Sequence, residues 1–392
     1  MKPKEWHRLF FINKSKVVLF LFVCVVFIIT RQVPFNQYSW IANIALFGLF
    51  VLQSPRTNER YGIFLGIVVL IGYSLCLSNH IPFIIRFAFI IWFILAAYYL
   101  KLPKNFIKIL IFFCAVQCIF LICLELILLF YFTPDSYLGL RAYCLEQGWG
   151  DLYTYSGYFY KIQFKGNALL PFVYMLSYVY DIFPSRKVWR YRVLFFISIV
   201  IAGNFAYFIA LGIFHFFLFF FSVNRYSILV KKGIYVFLLS LFLIPFIMDY
   251  VTDVLGKKDD SLGTRYDQCE VLINDLTENP LYFLFGKGLG NTVDKVTAYR
   301  DYTQNIYYEM QVMYFVNQMG VFFFAFFVCL NVYLALKYIH NKKFLFVYGC
   351  YIIYAVTNPY ILDTNHVIVI LTLVTLNKIQ NDSRVCVGFV QS

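Results

Sequence analysis

A run of three glycines, Gly286-x-Gly288-x-Gly290, stands in the longest polar stretch of the chain. Backbone N–H groups that have no side chain beside them can approach an anion, so the run could contribute to a phosphate-binding loop. It does not follow a predicted strand and open a helix, which a dinucleotide-binding fingerprint requires, and we reject that interpretation. An ordinary glycine turn explains the run equally well.

The sequence also predicts a short helix before the run and one candidate residue far from it. Apolar spacing over 267–276 predicts a short amphipathic helix that ends near Asn279-Pro280. Arg86 lies inside an apolar run, where an ionisable group is a functional candidate by default. Snorkelling of its long side chain to the lipid headgroups explains Arg86 equally well. We find no cluster of Cys, His and carboxylate residues at metal-ligand spacing and predict no metal site.

These residues belong to an unusually apolar chain. Hydrophobic residues make up 61% and charged residues 14% of the 392 positions, against roughly 45–50% and about 25% in soluble domains. Its apolar runs show no in/out alternation, which favours membrane helices of about 20 residues over barrel strands of about 10. We therefore predict an all-α polytopic membrane protein, one integral membrane domain over 1–392 with about twelve transmembrane helices.

The connections between the predicted helices alternate in charge. The helices are predicted at 15–30, 38–53, 61–78, 83–100, 107–132, 166–183, 191–203, 205–222, 233–248, 311–336, 344–359 and 362–377. Every short basic connection then falls on one side, which the positive-inside rule makes cytoplasmic, together with both termini. The net charge of +13 therefore reflects topology and does not indicate nucleic-acid binding. Gly203-Asn204 divides 191–222, because a single helix there would break the alternation.

Two segments on the opposite side are too long to serve only as connectors. We call 133–165 the first loop and 249–310 the second loop. Between them they hold most of the acidic residues of the chain. Because the polar chemistry lies on this side, the function of the protein should be sought there.

The second loop contains an arginine at 265, Asn279-Pro280-Leu281, the glycine run after Phe285, and a polar cluster, and the following apolar helix contains Gly320. This order, over about 263–320, resembles the signature loop of O-antigen polymerases and ligases. The number of spans and the placement of a smaller and a larger outer loop also agree with that family. The resemblance implies a membrane glycosyltransferase of GT-C-like architecture.

The resemblance implies transfer of a glycan from undecaprenyl diphosphate at the periplasmic face of the bacterial inner membrane. The leaving group is then a diphosphate. Arginine side chains, which are always charged, can stabilise its negative charge without a metal or another cofactor. Arg265 matches the arginine of the family's loop and is assigned to catalysis, and Arg141 holds the corresponding place in the first loop. The alternative for Arg265 is a surface ion pair with Asp267 or Asp260.

Glu309 closes the polar cluster and opens the tenth predicted helix. A carboxylate there could deprotonate the acceptor hydroxyl as a general base, or it could cap the helix. The ligase branch of the family carries a histidine in this region. No histidine of this chain falls in either loop, which favours a polymerase.

The first loop is rich in aromatic residues. Tyr153 and Tyr155 offer faces for stacking on sugars, and an interfacial aromatic belt explains them equally well. Cys144 and Cys269 are the only cysteines on this side, one in each loop. In an oxidising periplasm they could form a disulfide that ties the loops together.

The predicted function is O-antigen polymerisation, with Arg265 and Glu309 catalytic and Arg141, Arg86, the glycine run and the two tyrosines binding substrate. The alternatives are an O-antigen ligase and a polysaccharide flippase or other transporter. The expected partners are undecaprenyl-diphosphate-linked oligosaccharide, membrane lipid, a chain-length regulator and a flippase, and no nucleic acid. A transporter would carry its polar residues at mid-membrane, where this chain has few.

Overall fold

A computed structural model gives the fold of the chain. It describes residues 25, 28, 29, 35–53, 58–100, 102–133, 135–154, 159–181, 183, 187–221, 259–297, 301–303, 306 and 308–390. The chain is predominantly helical over these residues, as the sequence predicts. The predicted helix 233–248 lies outside them, and so does nearly all of 15–30.

Thirteen α-helices run through the described residues, and we number them in chain order. The first eight are α1 Ser39–Gln53, α2 Asn58–Cys76, α3 Ile81–Ala97, α4 Asn105–Tyr131, α5 Tyr137–Glu146, α6 Leu169–Val179, α7 Val188–Ala202 and α8 Phe205–Phe221. The others are α9 Asp259–Thr277, α10 Pro280–Phe285, α11 Gln311–Tyr338, α12 Lys342–Val356 and α13 Thr364–Val390. Ten of the twelve predicted ranges coincide with one of these helices.

Two of the described helices, α4 and α11, are long and apolar enough to span a membrane. Three shorter stretches are also strongly apolar, Tyr61–Cys76, Ile81–Ala97 and Phe205–Phe219. A membrane span needs about 20 apolar residues, which the two long helices exceed. The count of twelve transmembrane helices stays a prediction.

The break at Gly203-Asn204 occurs where the sequence predicts it. Gly203 ends α7 in the left-handed conformation at φ 60°, which a residue without a side chain adopts readily. The side-chain oxygen of Asn204 then accepts a hydrogen bond from the N–H of Ala206, at 3.1 Å, at the start of α8. One apolar stretch therefore folds as two helices.

The first loop contains a β-hairpin, which the all-α prediction missed. After α5, strands β1 (Gly150–Thr154) and β2 (Tyr160–Phe164) pair antiparallel, with Gly150 opposite Phe164. Alternate side chains of β2, those of Tyr160, Ile162 and Phe164, are buried. This period of two fits a strand with one face against the helices. The prediction treated the loop as a source of aromatic side chains and overlooked the alternation.

The helices pack through an apolar core crossed by a few hydrogen-bonded polar groups. In contact are α4 with α7, α8 with α12 and α3 with α13. A buried network joins Tyr98, Asn331 and Tyr348, and the Tyr348 hydroxyl lies 2.7 Å from His366 Nε2. His366 Nδ1 lies 2.7 Å from the carbonyl oxygen of Ile361, which fixes the turn between α12 and α13.

Candidate active site

The short helix α10 links the long helix of the second loop to the glycine run. Asn279 caps it, since its side-chain oxygen accepts a hydrogen bond from Leu281 N at 2.9 Å. Pro280 takes the first helical position, where its missing N–H costs nothing. The predicted helix over 267–276 is present as part of α9, which extends further towards the N-terminus than expected.

The glycine run crosses the backbone of α11 at a kink. Gly286 and Gly320 both have positive φ, at 78° and 67°, and Gly320 interrupts the helical geometry of α11. A Cβ on either residue would overlap the backbone nitrogen of the other. The N–H groups of Lys287 and Gly288 donate to the carbonyls of Asn317 and Gln318, both at 2.9 Å. These bonds satisfy carbonyls that the kink frees, so loop and helix form one unit.

The other side of the run packs against the connection between α2 and α3. Asn79 Nδ2 donates to the carbonyls of Lys287 and Leu289, at 2.8 and 3.1 Å. Leu289 N donates to the Ser74 hydroxyl at 2.7 Å, and Gly290 N donates to the Gln318 side chain at 3.3 Å.

Every backbone N–H from 286 to 291 therefore donates to an oxygen of the protein. A phosphate cradle needs such groups to point into free space. Of the two interpretations of Gly286, Gly288 and Gly290, the geometry supports the structural turn, and we assign the run to packing.

A partly buried ion cluster fixes α9 to the glycine run. Lys287 Nζ donates to Asp275 Oδ1 and Glu278 Oε2, both at 2.6 Å, and the side chains of Lys287 and Asp275 are each 15% exposed. Asn317 Nδ2 donates to the other oxygen of Asp275 at 2.8 Å. Burial alone would lower the pKa of Lys287, but its hydrogen bonds to Asp275 and Glu278 outweigh burial and raise the pKa. The sequence offered no signal for this cluster beyond the residue types.

The two residues predicted to be catalytic, Arg265 and Glu309, meet in the structure. Arg265 Nε donates to Glu309 Oε2 at 3.1 Å, and each side chain is 38% exposed. Among the described residues the terminal nitrogens of Arg265 and Oε1 of Glu309 make no other hydrogen bond. The pair therefore presents an anion-binding fork and a proton-accepting oxygen side by side.

Neighbouring contacts hold this pair in place. The side-chain oxygen of Gln268, one turn after Arg265 on α9, accepts a hydrogen bond from Met310 N at 3.1 Å. Asp267, which we considered as an ion-pair partner of Arg265, instead accepts hydrogen bonds from Thr297 and Tyr302, at 2.6 and 3.0 Å.

A stack of buried tyrosines lies next to the pair. The ring centroids of Tyr302 and Tyr308 are 5.5 Å apart, and those of Tyr308 and Tyr314 are 4.4 Å apart. The Tyr314 hydroxyl donates to the carbonyl of Asn291 at 2.8 Å. This stack joins the end of the second loop to α11, and no pattern in the sequence predicted it.

Arg141 of the first loop forms a two-pronged pair with Asp151. Its Nε and Nη2 donate to the two carboxylate oxygens at 2.7 and 3.0 Å. These hydrogen bonds raise the pKa of Arg141. Asp151 also accepts from Leu152 N at 2.8 Å, so the pair fastens α5 to the hairpin. No hydrogen bond or ion pair of the described residues joins Arg141 to Arg265 or Glu309.

The remaining predicted binding residues are dispersed. Arg86 is exposed on α3, makes no ion pair with a described residue and lies near enough to Tyr314 for an electrostatic interaction. Tyr153 is half-buried in β1, and the ammonium of Lys161 lies 5.7 Å from its ring centroid. Tyr155 lies outside the described residues.

Cys144 and Cys269, predicted to form a disulfide, are both free thiols in this structure. A disulfide needs Cα atoms about 4.4–6.8 Å apart. Cys144 is instead buried on α5 beside the hairpin, and Cys269 lies on α9, which packs on α11. Burial raises the pKa of both thiols.

The turn between α12 and α13 joins the first loop to the start of α11. Asn365 Nδ2 donates to the carbonyl of Lys165 at 3.1 Å. Leu362 N donates to the side-chain oxygen of Gln311 at 3.2 Å. Gln311 lies two residues after Glu309 in the sequence. The turn therefore links the end of the first loop to the first residue of α11.

Among the described residues no group of three or more His, Cys, Asp or Glu side chains could hold a metal ion. Comparisons with protein-family models, with curated proteins and with solved structures found no match to the chain. The site must therefore be interpreted from its own chemistry and from the resemblance of its loop.

Proposed function

We propose that this chain is an O-antigen polymerase, a metal-independent membrane glycosyltransferase that acts at the periplasmic face of the bacterial inner membrane. The observation that carries the proposal is the half-exposed pair of Arg265 and Glu309, each with polar atoms that no described residue occupies. In this proposal about twelve helices span the membrane, both termini are cytoplasmic and both loops are periplasmic.

The pair can serve both ends of a glycosyl transfer. The terminal nitrogens of Arg265 would bind the diphosphate of the lipid-linked donor and stabilise the charge that develops as the bond from the anomeric carbon to the phosphate oxygen breaks. The acceptor hydroxyl oxygen forms the new bond to that carbon, and its proton passes to Glu309. Lipid diphosphate and the elongated chain are the products.

The pairing itself favours this division of roles. Glu309 lies beside the fixed positive charge of Arg265, so the proposed base and the proposed phosphate-binding group are held together. An incoming diphosphate would compete with Glu309 for Arg265, because two anions share one guanidinium. Donor binding would then loosen the carboxylate at the moment when the acceptor needs a base.

The other predicted residues take supporting roles in the proposal. Arg86 remains a candidate for binding the anionic headgroup, since it is exposed and lacks an ion-pair partner among the described residues. Arg141 binds both carboxylate oxygens of Asp151 through Nε and Nη2 and would act by holding the hairpin in place. Tyr153 lies in β1, as Asp151 does, and would offer an aromatic face to sugar.

The test is the lipopolysaccharide of a strain in which the gene is deleted. A polymerase defect leaves core lipid that carries a single repeat unit, whereas loss of a ligase or a flippase leaves core lipid without any repeat unit. The proposal expects the single-unit product and its extension when the wild-type chain is restored. Core lipid without a repeat unit would contradict it.

A further inference from the structure

Helix α10 exposes an apolar surface in the middle of a polar loop. Its six residues are Pro-Leu-Tyr-Phe-Leu-Phe, and none is buried. The side chains of Leu281, Phe283, Leu284 and Phe285 are between 36% and 61% exposed. No residue of α10 is charged, so water would meet only apolar groups and one phenol there.

The surroundings hold this surface in a defined place. The Asn279 cap fixes the start of α10, and the crossing of Gly286 with Gly320 fixes its end. The cap fixes one end of α10 and the crossing fixes the other. The helix therefore cannot turn its apolar side chains inward without breaking the Asn279 cap or the contact between Gly286 and Gly320.

The exposed surface of α10 continues onto α11. The ring of Phe285 packs against Phe322 and Phe323, with centroids 5.9 and 5.8 Å apart. Phe322 and Phe326, one turn apart on α11, are themselves 58% and 61% exposed. Since α11 is long and apolar enough to cross a membrane, its exposed phenylalanines would face lipid.

Charged residues flank α10 on both sides in sequence and meet in one cluster. The ammonium of Lys287 lies 5.2 Å from the ring centroid of Tyr282 and binds Asp275 and Glu278. A lysine and a tyrosine beside an apolar patch are the residues that anchor protein segments at the membrane interface.

We propose that α10 inserts into the outer leaflet, where Leu281, Phe283 and Leu284 contact the acyl chains of the bilayer. The proposal rests on the proposed membrane placement of α11 but not on the glycosyl-transfer reaction. It places the Lys287 cluster at headgroup level, which is also the depth of a lipid-linked diphosphate.

The test uses a photoreactive side chain in the full-length protein in native membranes. Phe283→p-benzoylphenylalanine and, separately, Leu281→p-benzoylphenylalanine are irradiated, and covalent adducts are identified by mass spectrometry. Phe326→p-benzoylphenylalanine on α11 reports lipid contact of the span. Tyr266→p-benzoylphenylalanine, at the 74% exposed Tyr266 on α9, is the matched control in the same loop.

Phospholipid adducts at Phe283 or Leu281 should match those at Phe326 and exceed those at Tyr266 by roughly tenfold, as acyl-chain contact requires. The insertion of α10 would be overturned if Phe326 gave phospholipid adducts but neither Leu281 nor Phe283 did. The two α10 positions would then give only protein adducts, only polyprenyl adducts, or none. Absence of lipid at Phe326 as well would overturn the membrane placement on which it rests. Loss of polymerase activity affects none of these readings, so failure of the two proposals can be told apart.

Discussion

The two loops use their arginines in opposite ways. Arg141 in the first loop engages both oxygens of Asp151 through two nitrogens, at 2.7 and 3.0 Å. Arg265 in the second loop contacts Glu309 through Nε only, at 3.1 Å. Arg141 therefore has one edge of its guanidinium bound to a carboxylate of the fold, whereas no described residue binds the terminal nitrogens of Arg265, which can bind a phosphate with two hydrogen bonds. The same residue type therefore supports a structural role in the first loop and, in the proposed function, a reactive role in the second.

The loops also differ in how they are attached to the bundle. The first loop is attached through the alternate buried side chains of β2. Neighbouring side chains can repack around a small change in one of them. Backbone contact between Gly286 and Gly320 attaches the second loop, and there no side chain can yield. The second loop should therefore be the less tolerant of substitution.

Substitution in the glycine crossing should have the largest effect on stability. Gly286→Val forces a β-branched residue into positive φ and into the backbone of α11, which we expect to cost about 3 kcal/mol or more. The measurement is the thermal midpoint of the purified protein in detergent. Gly349→Ala is the matched control, because a Cβ there meets nothing within 4 Å. Equal midpoints for the two variants would refute the crossing.

Removal of the cluster cation should have the next largest effect. Lys287→Met leaves the carboxylate of Asp275 largely buried without its ion partner, which we expect to cost about 2–3 kcal/mol. The same melting experiment measures it. Lys295→Met, at an exposed lysine of the same loop, should change stability by less than about 0.5 kcal/mol. If the two variants melt alike, the cluster does not hold the loop.

The same cluster predicts a dependence of stability on pH. The pKa of Lys287 is raised above its ordinary value of 10.5 in the folded protein. Its contribution is therefore complete below pH 10.5 and is lost as the pH rises through the raised folded pKa. The difference in midpoint between wild type and Lys287→Met should shrink over that alkaline range. A difference that grew there would contradict the sign of the shift.

The pair of the first loop should give the smallest effect. Arg141 and Asp151 are 37% and 33% exposed, so solvent screens their attraction. A double-mutant cycle with Arg141→Ala and Asp151→Ala should give a coupling energy of about 1 kcal/mol or less. A coupling energy several times larger would mean that the ion pair stabilises the first loop as strongly as the Gly286–Gly320 crossing stabilises the second.

The sequence predicted the features that local patterns determine. Apolar runs of helical length located ten of the described helices, and Gly203-Asn204 located a helix break that its left-handed geometry confirms. Apolar spacing also predicted the helix over 267–276, which lies within α9, whereas α10, which begins at Pro280, was not predicted.

Features that depend on contacts distant in sequence were missed or misread. The run around Gly288 gave two interpretations, because nothing local shows that Asn79 and Gln318 occupy its N–H and carbonyl groups. The two free thiols of Cys144 and Cys269 illustrate the same point, since cysteine positions alone carry no information on Cα separation. Arg265 and Glu309 were predicted to be catalytic on separate grounds, and their contact was not predicted.

The most direct test of this contrast is O-antigen chain length in a deletion strain that carries either Arg265→Ala or Arg141→Ala at equal membrane levels. Loss of a group that stabilises transition-state charge typically lowers turnover about 10²–10³-fold, so Arg265→Ala should leave mostly single repeat units. Arg141→Ala should retain long chains, because its arginine is already satisfied by Asp151. Long chains with Arg265→Ala, or equal losses in both variants, would contradict the assignment of the reactive site to the second loop.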